Sequence, residues 1–232
     1  MVQVTHHGRA AGVTDSWHPL QVDAENNLLF DCALFESLET SPEGNIDAER
    51  LAIAFALARV NVHVANHLQV DHVGRIPYLL VVGFKGPTLC SEPSAKLLPI
   101  VLVLSEQPII ALSSEQLFSL INTKQLSSRI RVQSAGHILG AVCVEVDRYY
   151  SGMGEKNRIV FSGDYRALHE PSLTAPKAPH YMANILVIEC TYSDRLHEGR
   201  RIRRLHLDKL LGNAFTDVSY FVRSMHDVCS TC

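Results

Sequence analysis

Apolar and polar residues alternate along several short runs of this chain, and those runs outline its elements before any chemistry is considered. Val60 to Ala65, Leu28 to Phe30, Arg129 to Gln133, and the stretches 142–149 and 158–162 read as strands. The last two are joined across Gly152–Asn157, a turn that suits a hairpin. Upstream, Gln3 to Gln21 reads as an opening strand pair punctuated by Gly8 and Gly12, and Asn26-Asn27 turns the chain into the strand that ends at Asp31. Helical spacing predicts a helix capped by Asp47, with Leu51, Ile53, Ala54, Phe55, Leu57 and Ala58 mostly on one broad face. Further helices are expected from Gly74 to Val82, from Ser91 onward and, strongly charged, from Glu198 to Ala214. A short strand near Thr88-Leu89 and another at Ile185–Glu189 complete the pattern, while 217–232 fits neither period.

Composition narrows the class. A chain of 232 residues that is 47% hydrophobic can bury a substantial core without disulfides, as a single soluble domain. The net charge of −3 and pI near 6.4 leave no global basic footprint for nucleic acid. Any such contact falls to local patches, Arg195 and Arg200-Arg201-Ile202-Arg203-Arg204, whose ordinary alternative is a solvated helix face. Six cysteines lie scattered, mostly in apolar runs, as buried reduced thiols do; Cys229 and Cys232 have ligand spacing but lack a second pair. The N-terminus has no basic region followed by an apolar core, and the apolar run Leu97 to Leu104 is interrupted by Pro99 and far too short to span a bilayer. A cytoplasmic protein with no membrane segment is the expectation.

The chemistry concentrates after the strand Val60 to Ala65. In Asn66-His67-Leu68-Gln69-Val70-Asp71-His72, two imidazoles and a carboxylate fall within six residues of loop. Those are donors that divalent zinc or manganese accepts. Three more such groups stand at strand ends: Asp31 after Leu28-Leu29-Phe30, His137 in Gly136-His137-Ile138-Leu139-Gly140, and Asp164 after Phe161-Ser162-Gly163. Singly, each has an ordinary alternative, since His137 between glycines can cap a turn and Asp164 can form one.

Together, these motifs with Ile76-Pro77-Tyr78-Leu79-Leu80, Gly83-Phe84-Lys85-Gly86-Pro87 and Glu189-Cys190-Thr191-Tyr192-Ser193-Asp194-Arg195 resemble the metallo-β-lactamase superfamily, specifically its RNA-processing β-CASP nuclease branch and the bacterial single-chain members. The likeness runs from about Thr5 to about Arg204, and the Glu189–Arg195 stretch is its branch-specific part. It implies an α/β (α+β) chain folded as an αββα sandwich, incomplete at the C-terminus. On that reading, 1–216 is the N-terminal part of the lactamase-like domain, 217–232 a divergent or truncated tail, and the β-CASP domain is absent.

The resemblance further implies two zinc ions, a zinc-bound hydroxide that cleaves RNA phosphodiesters, and RNA as partner, with homo-oligomerisation left open. His67 and His137 would hold the first ion and Asp71 and His72 the second, with Asp164 bridging. Asp31 would orient a ligand imidazole, and Glu189 would support a ligand or the leaving group. Arg195, Arg200, Arg201 and Arg203 are the expected RNA contacts. The chain departs from the family pattern at Gln69, where a His is usual, and at Cys32-Ala33, Ala65-Asn66 and Tyr165-Arg166. Gln69 makes an alternative concrete: a catalytically impaired relative that keeps the fold as a binding or assembly module. A small-molecule hydrolase of the same fold is a third reading, against which Glu189-Cys190-Thr191-Tyr192 argues.

Overall fold

Strands with apolar residues on both faces can only sit between two covered layers, and strand β3 (Asn27–Phe30) shows how this chain meets that demand. In the computed structural model, which describes residues 2–5, 17–23, 26–33, 59–102, 108–114, 116–121, 126–150, 156–166, 173–177 and 183–189, Leu28 and Phe30 of β3 enter the core between two sheets. Leu29, on the opposite face, packs with Val73, Ile76, Leu79 and Leu98 from the helices. All described residues lie within Met1–Glu189.

The first sheet has six strands in the order β1 (Gln3–Val4), β2 (His18–Gln21), β3 (Asn27–Phe30), β4 (Val60–Val64), β5 (Thr88–Ser91) and β6 (Ile109–Leu112). β1, β2 and β3 pair antiparallel, whereas β3 through β6 run parallel. The β2–β3 turn is closed by the Asp23 carboxylate, which accepts hydrogen bonds from the Asn26 backbone (2.8 Å) and side chain. The second sheet orders β11 (Ile185–Val187), β10 (Lys156–Phe161), β9 (Val142–Tyr150), β8 (Leu126–Ser134) and β7 (Phe118–Ile121). It is antiparallel except for β11 beside β10.

Val62, Val64 and Leu89 of the first sheet meet Ile130, Val132, Val144, Val146 and Ile159 of the second. Phe30 stacks on Phe161 with centroids 3.8 Å apart, and each such buried ring contributes about 1.5–3 kcal/mol by leaving water. The helices α1 (Val70–Val73), α2 (Ile76–Val81) and α3 (Glu92–Leu102) cover the first sheet's outer face. Three layers of the expected sandwich are therefore in place: helix, sheet, sheet. The charged helix expected over 198–214 and the Asp47-capped helix lie outside the described residues.

Three expectations change. The helix expected from Gly74 to Val82 is shortened to α2, and residues 70–73, which carry Asp71 and His72 and were expected as loop, form the separate short helix α1. Arg75 sits between them at φ −92°, ψ 0°, and Pro77 opens the second without an N–H to continue the first. β6 and β7, four-residue runs without clear alternation, are strands where none is expected. The strand expected over Ile185–Glu189 stops at Val187.

Parallel β3, β4 and β5 all end at one edge of the first sheet. In the second sheet, β8 ends, β9 begins and β10 ends together at one edge, through the pairings Ser134–Val142 and Phe161–Val144. The Asn66 carbonyl accepts the Val142 N–H at 2.9 Å, so the two edges are joined.

Candidate metal centre

Every ligand-type residue the sequence singled out within the described residues emerges at that joined edge. Asp31 follows β3 in the left-handed region (φ +55°), uncommon for a residue other than glycine. Its buried carboxylate accepts three hydrogen bonds: from the Asn66 backbone N–H (2.8 Å), the Asn66 amide (2.8 Å) and His72 Nδ1 (2.9 Å). Burial pushes the Asp31 pKa up, but His72, His67 and the Asn66 N–H together outweigh it and the net shift is downward. With its Nδ1 proton given to Asp31, His72 turns Nε2 toward Asp71 Oδ2 (3.8 Å) and Asp164 Oδ1 (3.4 Å). A carboxylate behind an imidazole is a common way to fix the tautomer of a metal-ligating histidine.

His67 follows β4 and is fully buried, with its ring centroid 3.9 Å from that of His72. Burial, then the His72 charge, lower the His67 pKa to about 4. Burial also disfavours charge on His72, yet Asp31 and Asp164 raise its pKa to about 10. Of the two rings, charge is therefore favoured on His72 and disfavoured on His67. Asp164 follows Gly163 at the end of β10; burial raises its pKa, but His72, His67 and His137 bring it down to about 2.

His137 comes from the β8–β9 connection, whose glycines 136 and 140 both have positive φ. A Cβ on Gly140 would lie 2.5 Å from Ser94 Oγ and 2.9 Å from Ser91 Oγ. Those hydroxyls hold the loop, Ser91 donating to the Gly140 carbonyl at 2.7 Å and Ser94 at 3.3 Å. His137 Nε2 is 3.5 Å and His67 Nε2 3.9 Å from Asp164 Oδ2. One donor atom from each of His67, His137 and Asp164 falls within 4.8 Å of the others, so the three could hold one ion.

Gln69 is not outside this group. Its side-chain Oε1 lies 2.9 Å from His67 Nε2 and 3.0 Å from His137 Nε2. Glu189 stands further back, accepting the Tyr165 N–H at 3.2 Å, while its own N–H donates to Ser162 Oγ. It thus steadies the backbone just after Asp164. Arg195, Arg200, Arg201 and Arg203 lie outside the described residues. His63, which the motifs do not include, is buried in β4 with Nδ1 3.2 Å from Thr88 Oγ1.

Sequence reasoning did not assign roles to Asn66, Ser91 and Ser94. For Asn66 a signal existed: an Asn directly after a buried strand and directly before the first candidate ligand. The serines act through hydrogen bonds 46 and 49 residues away in sequence, which no local spacing reveals.

The described residues thus form a two-sheet α/β fold with His and Asp side chains gathered where strand ends meet. Proteins similar to the chain include ones named as ribonucleases and as cleavage and polyadenylation specificity factor subunits. It is 26% identical over 212 residues to Ribonuclease TTHA0252 of Thermus thermophilus, covering 86% of this chain and 46% of that one. It is 32% identical over 156 residues to cleavage and polyadenylation specificity factor subunit 3-II of Arabidopsis thaliana, covering 59% of this chain and 24% of that one. The chain thus spans about half the length of the first of these relatives and about a quarter of the second. No family model matches it. Among solved structures it overlays Rm3 metallo-β-lactamase with a TM-score of 0.42 and 18% identity, covering 69% of this chain and 60% of that one.

Proposed function

We propose that this chain carries the metal-ligating part of an RNA phosphodiester hydrolase. The observation that supports the reading most is the placement of Asp164, whose two oxygens face two different donor sets. Oδ1 faces His72, which also approaches Asp71. Oδ2 faces His67 and His137. The donors are imidazole nitrogens and carboxylate oxygens, a set that fits divalent ions. His67, His137 and Asp164 would hold one ion, and Asp71, His72 and Asp164 the other; zinc is the ion the family resemblance suggests.

Bound there, such ions lower the pKa of water and offset the charge of an attacked phosphate. The chain's own residues do the orienting. Asp31 keeps the Nδ1 proton of His72 so that Nε2 stays a donor of electrons, and Asn66 fixes Asp31 through two bonds. Glu189 holds the backbone beside Asp164. RNA as substrate, Arg195, Arg200, Arg201 and Arg203 as its phosphate contacts, and a cytoplasmic setting belong to the same proposal. So does a lactamase-like domain over 1–216. No helix among the described residues is long and apolar enough to cross a membrane.

Gln69 favours a second reading, a metal-poor relative that binds RNA without cutting it. Elemental analysis of purified protein, with hydrolysis of a fluorescent single-stranded RNA, separates the two. Bound divalent ion and cleavage that EDTA abolishes support the hydrolase. Protein that takes up no ion from zinc- or manganese-supplemented buffer overturns it. Phosphate contacts release counterions, so RNA affinity should fall steeply with salt. Replacing Arg200, Arg201 and Arg203 by Ala should flatten that dependence.

A further inference from the structure

The residue that breaks the metal motif still delivers an atom to the site. Atoms sharing one ion at about 2.1 Å sit about 3.0 Å apart across an octahedral edge and about 3.4 Å apart across a tetrahedral one. Gln69 Oε1 is 2.9 Å from His67 Nε2 and 3.0 Å from His137 Nε2, hydrogen-bond distances that also match the spacing of donors sharing one ion, while His67 Nε2 stands further off, 3.9 Å from Asp164 Oδ2. Asp164 Oδ2 stands 3.5 Å from His137 Nε2, near the tetrahedral value. In the metal-free protein the amide oxygen, which can only accept, takes an N–H from each ring and so draws the two imidazoles together.

The backbone at position 69 is fixed, because the Gln69 carbonyl accepts the N–H groups of His72 (2.9 Å) and Val73 (3.1 Å) at the start of α1. The residue itself is exposed. We propose that Gln69 is an oxygen ligand of the first ion, giving two nitrogens and two oxygens where the family pattern would give three nitrogens. This rests on the metal-site reading above. Its consequence is a change of metal preference: an amide oxygen suits a hard ion such as manganese, whereas imidazole favours zinc. Zinc still binds more tightly in absolute terms, as it does at most such sites, but its advantage over manganese shrinks.

The test measures zinc and manganese affinities of the purified full chain by competition with a chromophoric chelator, with electron paramagnetic resonance of the bound manganese. The native chain is compared with Gln69→Ala and Gln69→His, each repeated with His137→Ala. Gln69→Ala should weaken one of the two ions by about 10-fold or more, at least the loss expected from removing an orienting partner. Gln69→His should raise the zinc-to-manganese affinity ratio at least about 10-fold, since it exchanges oxygen for nitrogen. Both effects should vanish with His137→Ala, because residues serving one ion are not additive. If Gln69→Ala binds ions as tightly as the native chain or more tightly, the amide is no ligand and this inference fails while the metal site stands. If neither the native chain nor Gln69→His binds any ion, the metal-site reading fails with it.

Discussion

The two donor sets that share Asp164 are built in opposite ways. Behind His72 the support is interior: its side chain is 5% exposed, and the Asp31 carboxylate it rests on is fully buried. Around His137 the site is half open, with side chains 30% exposed at His137 and 28% at Asp164. The first arrangement is fixed by the fold, because Asp31, Asn66 and His72 satisfy one another's polar groups and none can move alone. The second depends on a glycine-bracketed loop and on Gln69. Substitution should therefore cost less on the open side, where Gln69 stands, than on the buried one.

The largest test of this contrast is removal of Asp31. Asp31→Ala strips the acceptor from the Asn66 N–H, the Asn66 amide and His72 Nδ1, and places alanine at φ +55°. Breaking a buried charged pair from one side costs about 3–5 kcal/mol. In urea denaturation, His137→Ala, at a partly exposed position with one hydrogen bond to Gln69, should cost about 0.5–1.5 kcal/mol. Asp31→Asn, which tolerates the left-handed backbone, should fall between them. Equal costs for Asp31→Ala and His137→Ala would erase the distinction.

Next in size is an acid limb from the buried side. Burial lowers the His63 pKa from 6.5 to about 4 despite the opposing pull of Asp31. Folded His63 stays neutral in a range where the unfolded chain takes up a proton. Its contribution is therefore complete above pH 6.5 and is lost as pH falls toward 4, at about 1.4 kcal/mol per pH unit and on the order of 3 kcal/mol in all. Stability measured against pH should lose about one proton's worth of slope across that window in His63→Gln. An unchanged slope would show that other groups carry the acid sensitivity.

The legible part of this site was the local part. His67, Asp71 and His72 stand within six residues, and Asp31, His137 and Asp164 each follow an apolar run, so strand ends could be read as one edge. Which strands lie side by side is a matter of sheet order, and the four-residue β6 and β7 gave no periodicity from which to infer it. Gln69 was legible as a departure but not as a participant, because its place between two rings depends on where the β8–β9 loop folds back. That the loop folds there depends on Ser91 and Ser94, whose hydroxyls look unremarkable at the start of a helix.

The smallest expected effect tests that loop. Ser91→Ala removes the 2.7 Å bond to the Gly140 carbonyl, while Ser94 keeps a longer bond to the same oxygen. The loss should therefore be about 0.5–1.5 kcal/mol, the net worth of one such bond. Gly140→Ala attacks the same junction harder, since its Cβ would meet both hydroxyls and the backbone there has φ +85°; about 1–3 kcal/mol is expected. In both variants the damage should reach the first ion and spare the second, because the β8–β9 loop carries His137 while His72 is held by Asp31. Chelator titration that shows one site weakened and the other unchanged supports the division. Equal weakening of both would mean that the edge moves as one piece, with the open and buried halves coupled through Asp164.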